Sequence, residues 1–485
     1  MNNLNRTTVK VGARLPIKIV QFGEGNFLRA FVDYVVDRLN TEADFNGGVV
    51  VVQPLNGGLI PTINAQEGLY TLFMRGIKKG ELIDEKRVIS SVQKGVNPYS
   101  DYQEFLALAE EESLEFLISN TTESGIAYNA EDKGYASCPS SFPGKVTALL
   151  HKRYVHFNGA EDKGLAVIPC ELINHNADTL KEIVLQYAKD WDLGQEFIAW
   201  IENHNHFHNT LVDRIVPGYP KDDLASYEDR LDYKDKLIVA AEIFLLWVIE
   251  GDDRLLEKIP FHKIDENVLV VKDMQPYRTR KVRILNGAHT AVVPLSIMYG
   301  NTTVKEIMDD AVTSAFLKQA VFEEINPILP LPQAEVDDFA EEVFDRFRNP
   351  FIKHLLSSIA LNSISKFKVR VLPSLLDYQD KFGKLPLHLT FSFACLIRFY
   401  KGDWKGTALP VQDDAQVVDF FKTLWSTNDY AIISEKTLSH TAFWDEDLTQ
   451  VPGLSQNVAK ALEMMDTFGI VEGLNKFSEE SKVVG

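Results

Sequence analysis

The chain has 485 residues, 45% of them hydrophobic and 25% charged. That balance is ordinary for a globular protein and excludes a disordered tail, a fibrous repeat and a disulfide-stapled mini-protein, while the length implies two or three domains at roughly 100–200 residues each. With 50 basic and 69 acidic residues the net charge is −19, which disfavours nucleic acid and anionic membranes as partners and requires any anionic substrate to be held by a local cationic pocket.

The opening stretch, MNNLNRTTVKVGARLP, has no apolar core and does not read as a secretory signal. Pro16–Phe22 reads as a strand ending in Gly23, followed by a helix pattern over Leu28–Leu39. Gly48–Gln53 is a continuous β-branched run, the mark of a strand buried on both faces, and Glu115–Ser119 and Leu165–Pro169 repeat it. Polar residues follow each: Asn120-Thr121-Thr122 and Cys170-Glu171. Strand, polar turn, helix, strand is the grammar of a doubly wound parallel sheet, which binds ligands at the carboxyl ends of its strands. The acidic run Glu110–Glu112 reads as a solvated face. Periodicity makes Asp178–Ile249 mostly helical, with Leu237–Ile249 a buried helix too short to span a bilayer. Val268–Lys272 reads as one more strand, after which strand signals nearly vanish and apolar residues recur at three and four spacing from Ile284 to Ala461. The expected fold class is α/β: a doubly wound sheet domain over 1–278 and a mostly α-helical domain over 279–485, with the boundary near 273–283. The three cysteines, Cys138, Cys170 and Cys395, form no CxxC pair and fit a reducing, cytoplasmic setting.

Gly23-Glu24-Gly25-Asn26-Phe27 follows the first strand and opens a helix. Glycines there let the backbone turn tightly and approach a pyrophosphate. Leu28 stands where the third glycine of GxGxxG belongs, so the motif alone fits a plain strand–helix turn equally well. The acid expected about 20 residues on, which would hold a ribose diol, is missing. Gln53 occupies the end of the second strand and can substitute through its amide.

Lys281-x4-Asn286-x2-His289 is the most informative spacing. On a helix Asn286 and His289 share a face, with Lys281 about 80° away, so the three can line one wall. Oxidising an alcohol without a metal needs a base for the hydroxyl proton, which a desolvated lysine can be. An amide and an imidazole can then hydrogen-bond the developing oxyanion. Judged by spacing alone, an exposed helix-start lysine and a satisfied core histidine is the commoner arrangement. His204, His206 and His208 lack further ligands at zinc spacing and read as a solvated helix–loop junction. Asp213-Arg214 suits a structural ion pair as well as a substrate contact.

Together, Lys281-x4-Asn286-x2-His289, Val212–Ile215 and Gly23-x-Gly25 resemble the polyol-specific long-chain dehydrogenases, the mannitol dehydrogenase family. Gln21–Phe31, Ser119–Glu123, Pro169–Leu172, Pro410–Asp414 and Asp447–Leu454 extend the resemblance over nearly the whole chain. It implies a metal-independent, NAD-linked dehydrogenase with a Rossmann-type domain followed by a helical domain, and substrate in the cleft between them. It makes Lys281 the general base in oxidation and acid in reduction, Asn286 an oxyanion stabiliser and Asn176 its partner. His289 becomes a substrate-hydroxyl ligand and Asp213 a neighbour of the substrate. Phe22, Gly23, Gly25, Asn26, Phe27 and Gln53 fall to the cofactor, with Asn120 and Thr121 at its nicotinamide end. Arg346-Phe-Arg-Asn349-Pro350 resembles the family's RFxNP motif, but the arginine that follows that asparagine by nine residues is here Ser358, while the later lysine is kept as Lys366. That departure fits a substrate with a carboxylate terminus, a sugar acid, with Lys366, Arg280 and Arg348 as candidate partners and an arginine preferred for bidentate pairing. The chain is expected to act as a monomer or small homo-oligomer.

Overall fold

The computed structural model describes residues 2–122, 124–264 and 267–483. Glu123, in the Ser119–Glu123 segment, lies outside them. The chain divides into two compact units: Met1–Arg75 with Leu82–Met274, and Gly76–Glu81 with Gln275–Gly485.

The first unit is built on a six-stranded parallel sheet. Its strands are β1 (Ile17–Phe22), β2 (Gly48–Val52), then, after a hairpin of β3 (Tyr70–Lys78) and β4 (Glu81–Ile89), β5 (Val92–Val96), β6 (Phe116–Ser119), β7 (Ala166–Pro169) and β8 (His206–Phe207). Their order across the sheet is β5-β2-β1-β6-β7-β8, the Rossmann arrangement with its switch point between β1 and β6. Burial on both faces explains the unbroken apolar runs: Val49, Val51 and Ile118 pack into one core, and Val50, Val52 and Leu117 into another.

The helix expected over Leu28–Leu39 is two helices, Asn26–Arg29 and Val32–Glu42, broken at Ala30–Phe31. A larger difference lies in Asp178–Ile249. Its first part is helical, Asn176–Asp190 and Gln195–His204, but the rest is short strands and loops with one small α-helix, Leu224–Glu228. Leu237–Ile249 is no helix: Val239–Glu242 pairs in parallel with β3, and Leu246–Glu250 pairs antiparallel to Thr210–Asp213 and parallel to Asn267–Val271. An apolar stretch buried on every side carries no period, so alternation cannot separate strand from helix, and the content of Ile, Val, Phe and Trp decides for strand.

Beyond the hairpin tip Gly76–Glu81, the described residues of the second unit are helical apart from the short pair Asp403–Trp404 and Thr407–Ala408. Its centre is Gly287–Tyr299, packed with Leu387–Phe399 and with Ser363–Arg370. Among the described residues no helix is long and apolar enough to cross a membrane.

Candidate active site

In the first unit, the residue after each of four strands stays in the ladder. Gly23 N–H donates to Val52 O (3.0 Å), Gln53 N–H to Val96 O (3.0 Å), Asn120 N–H to Phe22 O (3.0 Å) and Cys170 N–H to Ser119 O (2.7 Å). Gly23, Gln53, Asn120 and Cys170 therefore stand in one row along the carboxyl edge, across the switch point.

Gly23 has φ +120°, and a Cβ there would lie 2.7 Å from Asn120 O and 3.0 Å from Leu28 Cδ1. A Cβ on Gly25 would meet nothing within 4 Å. A crowded glycine on the inner side of the turn and an open one on the outer side form a cradle into which a pyrophosphate can come close to the backbone. The remaining residues expected to hold the cofactor divide. Phe22 is buried with its ring edge-on to Phe105 and Phe142, so only its backbone faces the turn. Asn26 Oδ1 accepts from Arg29 Nη2 (2.7 Å), which fixes the turn. Phe27 stacks on Phe31 at 4.9 Å and, with Asn120, Thr122, Ser124 and Leu172, lines a cavity of about 540 Å³, within the size range of small-molecule sites.

Glu171, which sequence reasoning singled out only as a polar strand end, orders this edge. Thr121 N–H and Oγ1 both donate to its Oε1 (2.9 and 3.0 Å), and Ser119 Oγ donates to its Oε2 (3.0 Å). Burial raises the pKa of this carboxyl and those bonds pull it back. Asn176 is occupied in the same way. Its Nδ2 donates towards Pro169 O, Glu171 O and Thr210, and its Oδ1 accepts from Ala177 N–H and Thr210 N–H. The amide ties β7 to the next helix and strand, and its hydrogen-bonding groups are spent on that. Asp213 ends the strand Thr210–Asp213, while the Arg214 guanidinium donates to Glu242 O (2.9 and 2.8 Å) and Ala30 O (2.5 Å).

The second unit holds the other group. Lys281–Asn286 is a π-helical segment, continued as the α-helix Gly287–Tyr299. In an α-helix Lys281 and Asn286 would stand about 140° apart. Bonding from i to i+5 widens the turn and carries residues five apart towards one face, and such bulges cluster at functional sites. Among the described residues neither the Lys281 ammonium nor the Asn286 amide has a protein partner, and His289 Nε2 is buried without one. The His289 ring stacks on Phe347 (4.0 Å, 19°) and meets His354 edge-on (5.2 Å). Burial, then His354, Arg346 and Arg370, press its pKa far below the ordinary histidine range, so it is neutral near pH 7. Phe347 and His354 were not foreseen as contacts. The signal was the RFxNP segment itself, whose phenylalanine stacks on the histidine.

Arg280 and Arg348, two of the candidate carboxylate partners, are already paired: Arg280 with Glu335 (2.8 Å) and Arg348 with Asp345 (3.2 Å). Lys366 Nζ donates to Ile359 O (2.9 Å), and burial followed by Arg370 lowers its pKa. Arg370, which sequence reasoning missed, makes one long hydrogen bond, Nη1 to Thr290 Oγ1 (3.5 Å), and no carboxylate pairs with it among the described residues. Its helix comes this near because position 287 is glycine: a Cβ there would lie 2.9 Å from Arg370 O.

Comparison with known proteins shows the family and the fold. The mannitol dehydrogenase Rossmann domain matches residues 17–263 and the mannitol dehydrogenase C-terminal domain residues 273–466; the chain belongs to the mannitol dehydrogenase family. It is 48% identical to the altronate oxidoreductases of Escherichia coli O7:K1 and of Shigella flexneri, over 98% of this chain and 99% of theirs. Among solved structures, D-sorbitol dehydrogenase in substrate-free form (TM-score 0.79, 23% identity, 97% of this chain and 100% of that one) shares the fold. So does Pseudomonas fluorescens mannitol 2-dehydrogenase in ternary complex with NAD and D-mannitol (TM-score 0.65, 22% identity, 99% and 100%).

Proposed function

We propose that the chain catalyses the reversible reduction of D-tagaturonate to D-altronate with NADH, a step of hexuronate catabolism in the cytoplasm. The observation that carries the reading is the set of unspent polar groups on one helical stretch, Lys281, Asn286 and His289 Nε2, beside Arg370, with which no carboxylate pairs among the described residues. The 48% identity to altronate oxidoreductases over nearly the full length of both chains supports the choice of sugar acid.

Gly23 and Gly25 would cradle the pyrophosphate of NAD, with Asn120 and Thr121 at the nicotinamide end, and the bound cofactor would supply or take the hydride. Lys281 Nζ takes the hydroxyl proton of altronate during oxidation and returns one to the ketone oxygen of tagaturonate during reduction. Asn286 Nδ2 donates to that oxygen as negative charge develops on it. Neutral His289 hydrogen-bonds a neighbouring hydroxyl through Nε2. Asp213 is assigned to the sugar chain. Lys366 and Arg370 hold the carboxylate, as a charge-assisted pair in a chain that is otherwise strongly acidic.

The test is a substrate panel, D-tagaturonate, D-fructuronate and D-fructose in reduction and D-altronate and D-mannitol in oxidation, followed by absorbance of the reduced nicotinamide. The tagaturonate/altronate pair is expected to have the highest kcat/KM. A higher value for fructuronate or for mannitol would replace this reading with a fructuronate reductase or a polyol dehydrogenase.

A further inference from the structure

Gln53 follows strand β2, where Rossmann sheets commonly offer an acid to the adenosine ribose. Gln53 is 1% exposed. Its Nε2 donates to Leu55 O (2.8 Å) and Asn56 O (3.0 Å), and its Oε1 is buried with no partner among the described residues. A buried acceptor without a donor is costly unless a ligand supplies one.

A second oxygen converges on the same place. Glu24 sits between the two glycines of the turn; burial raises the pKa of its carboxyl, and the nearby backbone N–H groups of Glu24 and Leu59 pull it back. A Cβ built on Gly58 would lie 2.2 Å from Glu24 Oε1 and 2.5 Å from Gln53 Oε1. Both oxygens thus lie against the exposed Gly58 backbone and close to one another, an approach that a side chain at position 58 would block. The one cation that acts on the Glu24 carboxylate, Arg29, is already bonded elsewhere. Residues 53–67 contain no lysine or arginine, and Arg29, in the adjoining helix, spends its guanidinium on Glu24 O, Leu237 O and Asn26 Oδ1.

We propose that Glu24, reaching out of the glycine turn, supplies with Gln53 the acceptors that the second strand lacks: together they receive the ribose 2′- and 3′-hydroxyls of NAD and exclude the 2′-phosphate of NADP. The inference rests on the dinucleotide reading of the turn. A carboxylate accepts two hydroxyl donors readily, whereas a phosphate in the same place meets like charge while the Arg29 guanidinium is already spent on protein oxygens.

The test is equilibrium binding, read by quenching of protein fluorescence, of NADH, NADPH and 2′-deoxy-NADH to the wild-type chain, Glu24→Gln and Glu24→Ala. Wild type is expected to prefer NADH over NADPH by about 100-fold, and Glu24→Gln to lower that ratio by about tenfold or more. Removing the 2′-hydroxyl should weaken binding to wild type by about tenfold and leave binding to Glu24→Gln nearly unchanged. A ratio that survives Glu24→Gln in a folded protein overturns the role of Glu24 and leaves NAD binding standing. Wild-type indifference to the missing 2′-hydroxyl overturns it without any variant. Failure of wild type to bind either dinucleotide overturns this inference and the dinucleotide reading together.

Discussion

Substituting alanine at Gly23 and at Gly25 separates the two jobs of the turn. At Gly23 a side chain must hold φ +120°, which costs a non-glycine residue about 1–3 kcal/mol. Its Cβ would also stand 2.7 Å from Asn120 O. That oxygen is backbone and cannot swing aside. Its residue is fixed by the ladder bond from Asn120 N–H to Phe22 O (3.0 Å) and by Asn120 Nδ2 to Cys170 O (2.6 Å). Relieving the overlap means disturbing at least one of these bonds, at about 1 kcal/mol net. Gly23→Ala should therefore lose about 2–4 kcal/mol of unfolding free energy. Gly25 has φ −68°, which any residue adopts, and open space before it. Gly25→Ala should stay within about 0.5 kcal/mol of wild type. Urea denaturation measures the stabilities and fluorescence titration the NADH affinity. Both variants should bind NADH at least tenfold more weakly, Gly25→Ala with no loss of stability. Gly25→Ala binding NADH like wild type would refute the cradle, and Gly23→Ala matching wild-type stability would refute the steric account.

Three further outcomes follow from the geometry. Lys281→Ala should lower kcat by about 10²–10⁴-fold while NADH still binds; near-normal turnover at neutral pH in stopped-flow assays would remove the lysine from the chemistry. Arg370→Ala should raise the KM for the sugar acid by about 10–100-fold, the loss of one or two charge-assisted hydrogen bonds. It should leave the already poor oxidation of mannitol little changed, and an equal loss on both substrates would show that Arg370 only supports the helix. Asp33 lies beneath the glycine turn, accepting from Gln21 Nε2 and the Tyr70 hydroxyl, and burial pushes its pKa from 3.8 up to about 7. The folded chain therefore holds a proton that the unfolded chain has released. The stability this confers is full below pH 3.8, declines as pH rises and is gone above about 7. Asp33→Asn, which cannot ionise, should show a flatter stability profile across that interval in urea titrations, and an unchanged slope would reassign the pH dependence elsewhere.

Much of the fold was legible because it was written in patterns that burial enforces. The Val49–Val52 run had to be an interior strand, and the polar residues after each parallel strand had to sit on one edge. Leu237–Ile249 was illegible for the same reason: surrounded by protein on all sides, it has neither a period of two nor one of 3.6 to show. The π-helical turn at Lys281–Asn286 was hidden too, since an i→i+5 hydrogen bond leaves no mark on residue types, yet it changes which side chains share a face.

Roles of polar residues were legible only as far as sequence reveals what else competes for their hydrogen bonds. Asn176 and Asn286 looked alike as a pair of amides offered to one oxyanion. The structure separates them by accounting: every donor and acceptor of Asn176 is taken up by neighbouring backbone and Thr210, whereas the amide of Asn286 has no protein partner among the described residues. The same distinction moves the carboxylate pocket. Arg280 and Arg348 are as cationic as Arg370, but Glu335 and Asp345 already neutralise them, and a neutralised arginine has little left for a substrate anion. Arg370 was missed because the pairing of an arginine depends on helices brought together across the fold, and because the close approach that exposes it is granted by the absence of a side chain at Gly287, a feature that reads in sequence only as part of Asn286-Gly287.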